Sequence, residues 1–148
     1  MIANISSIFP CTESELWEKI SQPSSLQYIT SPILKFVPEN DDLFEMQWQI
    51  NTSYQLRLYL LGIVPLGGHC IILKVIDKEK NLIRSEESGL LAKVWNHTIT
   101  FHENENGQVH YIDSIEIKAG VLTPLIWMFA HFFYRHRQKK WRQLFSDY

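Results

Sequence analysis

Two cysteines in 148 residues, Cys11 and Cys70, stand far apart, and neither belongs to a CxxC pair or to any metal-ligand spacing. A disulfide-stapled scaffold is thereby excluded, and both read as free thiols. With no basic-then-apolar leader at the N-terminus, a reducing, cytoplasmic setting is expected. Long apolar runs are missing too. The longest, VLTPLIWMFAHFFY, has 14 residues with a proline near its start, short of the roughly 20 that a membrane span requires, so it reads as a buried helix. The six histidines offer no pair two or four apart, His97/His102 and His131/His136 each being separated by five; no metal and no cofactor is expected. There is no GxSxG, GxGxxG or P-loop, and PLGGH, which lacks the lysine and serine of a phosphate loop, reads as a bend. A net charge of -2 excludes a general nucleic-acid binder. Acid is absent from Val121 to Phe145, where Arg135, Arg137, Lys139, Lys140 and Arg142 lie. Such an end is either a solvated helix terminus complementing the helix dipole or a peripheral contact for an anionic membrane or a partner.

What the chain does have is aromatic mass: 13% of residues, five of them Trp. At this length a folded chain buries close to 70% of the surface its unfolded form exposes, so residues 1–148 are read as a single domain with its own core or an aromatic-lined cavity.

Periodicity divides the chain. MIANISSIF suits a first strand, stopped by Pro10. CTESELWEKI opens a helix on a capping box, Thr12 accepting from the Glu15 amide with Cys11 stapled onto Leu16. A short second helix or turn around Leu26, Tyr28 and Ile29 closes at Pro32. The period then becomes two for about ninety residues, giving seven expected strands: ILKFV, LFEMQWQI with Phe44, Met46, Trp48 and Ile50 on one face, YQLRLYLLG, GHCIILKVI, LIRSEESGL, KVWNHTITF and HYIDSIEIK. The chain ends in a long helix with Thr123 as N-cap and Pro124 in its first turn. Leu122, Leu125, Ile126, Phe129 and Phe133 form its apolar stripe, which Lys140 interrupts. The helix is therefore expected to grip with its first half, with Tyr134, Trp141 and Phe145 drifting to the flank, His131 toward solvent and the basic end projecting outward.

Three stretches, IFPCTESELWEKISQPSSLQYIT, LAKVWNHTITFHENENGQVHYIDSIEIKAG and TPLIWMFAHFFYRHRQKKWRQL, together with the order of elements, resemble the START/polyketide cyclase helix-grip superfamily (SRPBCC) over essentially the whole chain. The resemblance implies an α+β helix-grip fold: a curved antiparallel sheet wrapped around a long C-terminal helix, with two short helices after the first strand. It also implies a cavity for a hydrophobic or amphipathic small molecule, used for binding or for catalysis. Where some relatives carry a second histidine two positions after the first, this chain has Ile99.

The site follows from register. If the turn at 104–107 closes a simple hairpin with Phe101 opposite Tyr111, Ile99 faces Asp113 and His97 faces Ile115, which makes His97 and Asp113 diagonal neighbours on one face. The pair either satisfies two half-buried polar groups or serves as an oriented base or a ligand handle. In LIRSEESG either Arg84 with Glu86 or Ser85 with Glu87 faces inward. An inward carboxylate would be a candidate general acid or base, whereas the charges of an edge strand, the position expected for it, deter aggregation. Trp48, Tyr54, Trp95, Tyr111, Trp127 and Phe129 are the aromatics expected around the cavity, joined by Leu58, Ile126 and Phe133. The first functional expectation is a soluble module binding a lipid-, polyketide- or quinone-like molecule in this cavity. The second is a cyclase/dehydratase-type enzyme moving protons with His97 and Asp113. The third is membrane or partner docking through the basic helix end.

Overall fold

The computed structural model describes residues 1–146, and at Phe44 the backbone alone. Strand β1 (Ile2–Phe9) leads into helices α1 (Glu13–Ile20) and α2 (Pro23–Thr30). Then come β2 (Leu34–Pro38), β3 (Ser53–Leu60), β4 (Val64–Asp77), β5 (Leu82–Gly89), β6 (Val94–Glu103) and β7 (Val109–Lys118), and finally α3 (Thr123–Ser146). The strands form one antiparallel sheet in the order β1-β7-β6-β5-β4-β3-β2. The first strand thus pairs with the last, and the two helices bridge to the opposite edge. This is the helix-grip arrangement implied by the resemblance.

The local signals explain most boundaries. Thr12 Oγ1 accepts from the Glu15 amide at 3.2 Å and starts α1, while Pro23 occupies the first turn of α2, where its missing N–H costs nothing. Trp17 ties α1 to the sheet by donating its indole N–H to Asn81 Oδ1 at 2.7 Å. Cys11 is buried, and burial, followed by the charges of Glu15 and Glu103, pushes its thiol up to about 12, which leaves it unreactive. The bend expected at PLGGH is a β-bulge inside β4, where pairing with β3 shifts register between Leu58 and Tyr59. Gly67 sits there at φ +89°, with Leu90 so close that a Cβ would lie 2.9 Å from its Cδ2.

Four expectations are corrected. LFEMQWQI is not a strand: Asp41–Glu45 form a 3-10 turn, capped by Asn40 accepting from the Asp42 amide, and only Ile50 makes an isolated bridge, to Leu73. Its alternation is not that of a buried face, because Met46 and Ile50 are exposed; the asparagine cap and the two aspartates favour a turn. Six strands, not seven, follow the helical insert. Strand β5 is not an edge: it pairs with β4 throughout and with β6 from Leu82 to Ser85, sending Arg84 and Glu86 to solvent. Thr123 is not an N-cap. It is itself helical, and its hydroxyl turns back to accept from Ala119 N–H and donate to Gly120 O.

The fourth correction concerns the grip. The buried residues of α3 are Ala130, Phe133, Tyr134, Arg137, Gln138, Trp141 and Phe145, whereas Leu122 and Leu125 are exposed. From Ala130 onward α3 is buried against β1, β7 and α2, and the turns before it are largely exposed, with Trp127 tied to the β1 edge at Ile2 O. Spacing of three and four carries the stripe straight through Arg137 and Gln138; their polarity disguised it, Gln138 being paired with β1 and β7 and Arg137 lying against aromatic rings of α3 itself.

Candidate functional site

Between the sheet, helices α1 and α2 and the C-terminal helix α3 lies a cavity of about 810 Å³. Its walls are mainly apolar, with Trp48, Leu58, Trp95, Ile126, Phe129 and Phe133 among them. It opens where its lining residues are themselves exposed: Leu90 and Leu91 in the β5–β6 connection and Leu122, Leu125 and Met128 at the start of α3. The opening has a structural cause. Beyond Ser85 the β5–β6 ladder stops, and the Gly89 amide instead bonds to Ala92 O across the turn.

A polar cluster interrupts the apolar lining on the sheet side. The hairpin register is the expected one, Phe101 opposite Tyr111 and Ile99 opposite Asp113. His97 Nε2 lies 2.6 Å from Asp113 Oδ1, and both residues are buried. Asp113 Oδ1 also accepts from Tyr111 OH at 3.1 Å, and Oδ2 from Gln138 Nε2 at 2.9 Å. Gln138 is fixed in turn, its amide donating to Ile5 O at 2.8 Å and its oxygen accepting from the Ser7 hydroxyl at 2.8 Å. Burial alone would raise the Asp113 pKa, but the His97 hydrogen bond, the charges of His97 and Arg137 and the Gln138 hydrogen bond together hold it below the usual carboxylate range. An ionised Asp113 accepts only, so the proton in this contact sits on Nε2 and His97 turns Nδ1 the other way.

That side holds a second carboxylate. Glu87 Oε1 lies 2.9 Å from His69 Nε2, Oε2 accepts from the Ser85 hydroxyl at 2.6 Å, and the same Oε2 is 3.9 Å from His97 Nδ1. Of the two faces left open for this strand, Ser85 and Glu87 are therefore inward. Burial would push Glu87 up, but the hydrogen bond and charge of His69, the His97 charge and the Ser85 hydroxyl draw it below its ordinary value. The Tyr134 ring packs edge-on against His97 at 4.9 Å, while its hydroxyl accepts from the Trp95 indole at 2.9 Å. Burial raises the Tyr134 pKa, with the Arg137 charge opposing, so this phenol stays neutral.

The sequence-predicted residues divide accordingly. Trp48, Leu58, Trp95, His97, Ile126, Phe129 and Phe133 line the cavity. Tyr54, Tyr111 and Asp113 do not: Tyr54 is a core residue stacked edge-on with Trp48, Tyr111 is packed between Phe9 and Phe101, and Asp113 stands fully buried behind His97. Trp127 also faces elsewhere, donating to Ile2 O at 2.8 Å, and its ring meets a half-buried His131 that was expected in solvent. Arg137 is the main correction to the basic end. It is only 8% exposed, lines the cavity and sits 4.8 Å from the Tyr134 ring centre, while Arg135, Lys139 and Arg142 remain outside. Sequence reasoning also missed His69, which strict alternation in GHCIILKVI places beside Ile71 and Leu73, and Gln138. Among the described residues no three of His, Cys, Asp and Glu are placed to hold a metal ion, and no helix is long and apolar enough to cross a membrane.

A curved sheet closed by a C-terminal helix over a mostly apolar cavity is the helix-grip fold. Within that fold, the chain belongs to the family described as Domain of unknown function (DUF8410), which matches residues 7–145. It is similar in structure to protein CV1439 from Chromobacterium violaceum, at 11% identity over 98% of this chain and 97% of that one, with a TM-score of 0.75. A START superfamily protein from Mycobacterium smegmatis is similar at 12% identity over 99% and 97% of the two chains, with a TM-score of 0.68. Ara h 8.0201 is similar at 8% identity over 100% and 99%, with a TM-score of 0.72. At these identities the likeness is one of fold. No curated protein matches the chain.

Proposed function

We propose that the protein binds a hydrophobic or amphipathic small molecule, lipid-, polyketide- or quinone-like, inside the cavity between the sheet and α3. The observation that carries this reading is the cavity itself: about 810 Å³ with mainly apolar walls and a leucine-lined mouth, inside the roughly 300–1,000 Å³ range of small-molecule sites. The helix-grip resemblance, in which such cavities bind hydrophobic molecules, supports it. Native mass spectrometry followed by denaturing extraction tests for a co-purified molecule, and titration with N-phenyl-1-naphthylamine tests the cavity directly. Saturable, blue-shifted fluorescence at one dye per chain is expected; a linear, unsaturable response refutes the reading.

A second reading has its own support. His97 lines the cavity with a buried carboxylate on its far side, the arrangement that orients an imidazole for proton transfer. A cyclase- or dehydratase-type reaction on a bound polyketide would then show a pH profile governed by this dyad. Turnover unchanged in H97A removes the enzymatic reading and leaves the binding one intact.

A further inference from the structure

The cavity's polar groups are unequally satisfied. Both carboxylates have their own donors: Asp113 takes His97, Tyr111 and Gln138, and Glu87 takes His69 and Ser85. Arg137 has no such partner. Its Nε is buried without an acceptor, and the ion pairs of Asp113 and Glu87 are made with histidines. What it does have is aromatic: the Tyr134 ring at 4.8 Å and the Phe133 ring at 5.9 Å, contacts that hold a guanidinium without using its N–H groups. One turn further along α3, Trp141 also lines the cavity, and its indole N–H is buried without an acceptor. Two unspent donors thus stand four residues apart on one helix face.

A desolvated guanidinium is costly to leave unpaired, and its planar fork matches a carboxylate oxygen for oxygen. Position points the same way. Arg137 lies nine residues along α3 from Met128 at the mouth, about 14 Å at the helical rise, with Ile126, Phe129 and Phe133 among the lining residues before it. Asp113 and Glu87 act on Arg137 at longer range and would repel a dianion more than a monoanion. Resting on the reading of the cavity as a small-molecule site, we propose that Arg137, assisted by Trp141, is its head-group subsite, and that the bound molecule is a monocarboxylate with an apolar body, acid end inward.

The test uses the wild-type protein with N-phenyl-1-naphthylamine as cavity reporter and two competitors, dodecanoate and methyl dodecanoate, both below aggregation. The acid displaces the dye at a concentration at least about ten-fold lower than the ester, the equivalent of one charge-assisted hydrogen-bonded contact. In R137Q the preference disappears when acid and ester are each compared against dye bound to the same variant. R137K, which keeps the charge without the fork, retains part of the preference and stands in if the glutamine variant does not fold. Equal displacement by acid and ester in the wild type, with the dye bound, overturns the head-group assignment and leaves the cavity reading standing. A preference that survives in R137Q overturns the role of Arg137. Failure of the dye to bind sinks the cavity reading itself and this inference with it.

Discussion

Replacing Asp113 by alanine removes the acceptor on which three donors from three elements converge: His97 of β6, Tyr111 of β7 and Gln138 of α3. None of the three can turn to water, because Asp113 and Tyr111 are 0% exposed, His97 5% and Gln138 2%. Each buried donor left without its acceptor costs about 1–3 kcal/mol, so three together take a large part of the roughly 5–15 kcal/mol that holds a domain together. At about 2–4 °C per kcal/mol for a chain of this size, D113A should melt on the order of 10 °C below wild type. D113N is the sharper variant. It keeps the shape and one acceptor, but sets its amide N–H groups against the Gln138 amide, which cannot flip because Ile5 O and the Ser7 hydroxyl hold it. It should therefore lose about 1–3 kcal/mol, the cost of a buried unsatisfied donor. Guanidinium denaturation at constant m-value, with thermal circular dichroism beside it, measures both. If D113A falls within about 1 kcal/mol of wild type, an ordinary hydrogen bond's worth, the network is not holding the sheet to the helix and the reasoning fails.

Acid should destabilise the wild type through the same groups. Asp113 and Glu87 both lie below their ordinary values of 3.8 and 4.5 when folded, so their contribution is complete above those values and is lost as pH falls through the lower folded ones. Stability measured from pH 7 to pH 3 should drop at the acid end, less steeply in D113A; equal slopes would remove the linkage. Leu58→Trp should fill the cavity from the β3 wall and abolish naphthylamine binding at a stability change below about 1.5 kcal/mol, because the added ring enters free space; a loss of about 1–3 kcal/mol would show a wall already close-packed. Gly67→Ala should cost more than about 1 kcal/mol in chemical denaturation, through its positive φ and its closeness to Leu90; a neutral result would mean the bulge relaxes freely. In hydrogen exchange, the amides around Ala130–Phe145 of α3 should be protected more strongly than those preceding Met128, and uniform protection would contradict a helix held by one half.

The fold was legible because its signals are local and mutually consistent. The Thr12–Glu15 cap, the change from period 3.6 to period 2 and the Gly107 turn each state one boundary, and the turn sets the register that brings His97 to Asp113. The misreadings of burial share one cause, that polarity does not fix it. Met46 and Ile50 alternate like a strand face yet are exposed, whereas Arg137 and Gln138 read as surface yet are buried. A polar residue can occupy a core stripe when its partner arrives from a distant element, and Asp113 is 25 residues from Gln138 while Ile5 is 133 away. No window of sequence contains that pairing. His69 and Glu87 sit 18 apart in neighbouring strands, and period-two alternation left Glu87 on either face; only the pairing of β4 with β5 decides it.

The buried polar pairing also explains why there is a cavity at all. A helix gripped along its whole apolar stripe would sink into the sheet and fill the space with Leu122, Leu125 and Phe129. Here the clamp is displaced toward the C-terminus, where Gln138 bonds to the β1 backbone and to Asp113 while Trp141 and Phe145 bury large aromatic surfaces. The N-terminal turns touch the sheet at its β1 edge, where Trp127 bonds to Ile2 O, and leave Leu125 and Met128 exposed, while the early end of the β5–β6 ladder leaves the facing wall unclosed. Buried polar pairing fixes one end of the helix so that the apolar residues of the other end remain unspent. An apolar surface kept from packing against its own chain gains free energy from an apolar ligand, at about 25 cal/mol per Å² removed from water. The polar network and the greasy pocket are therefore one device: the first supplies the rigidity that keeps the second open.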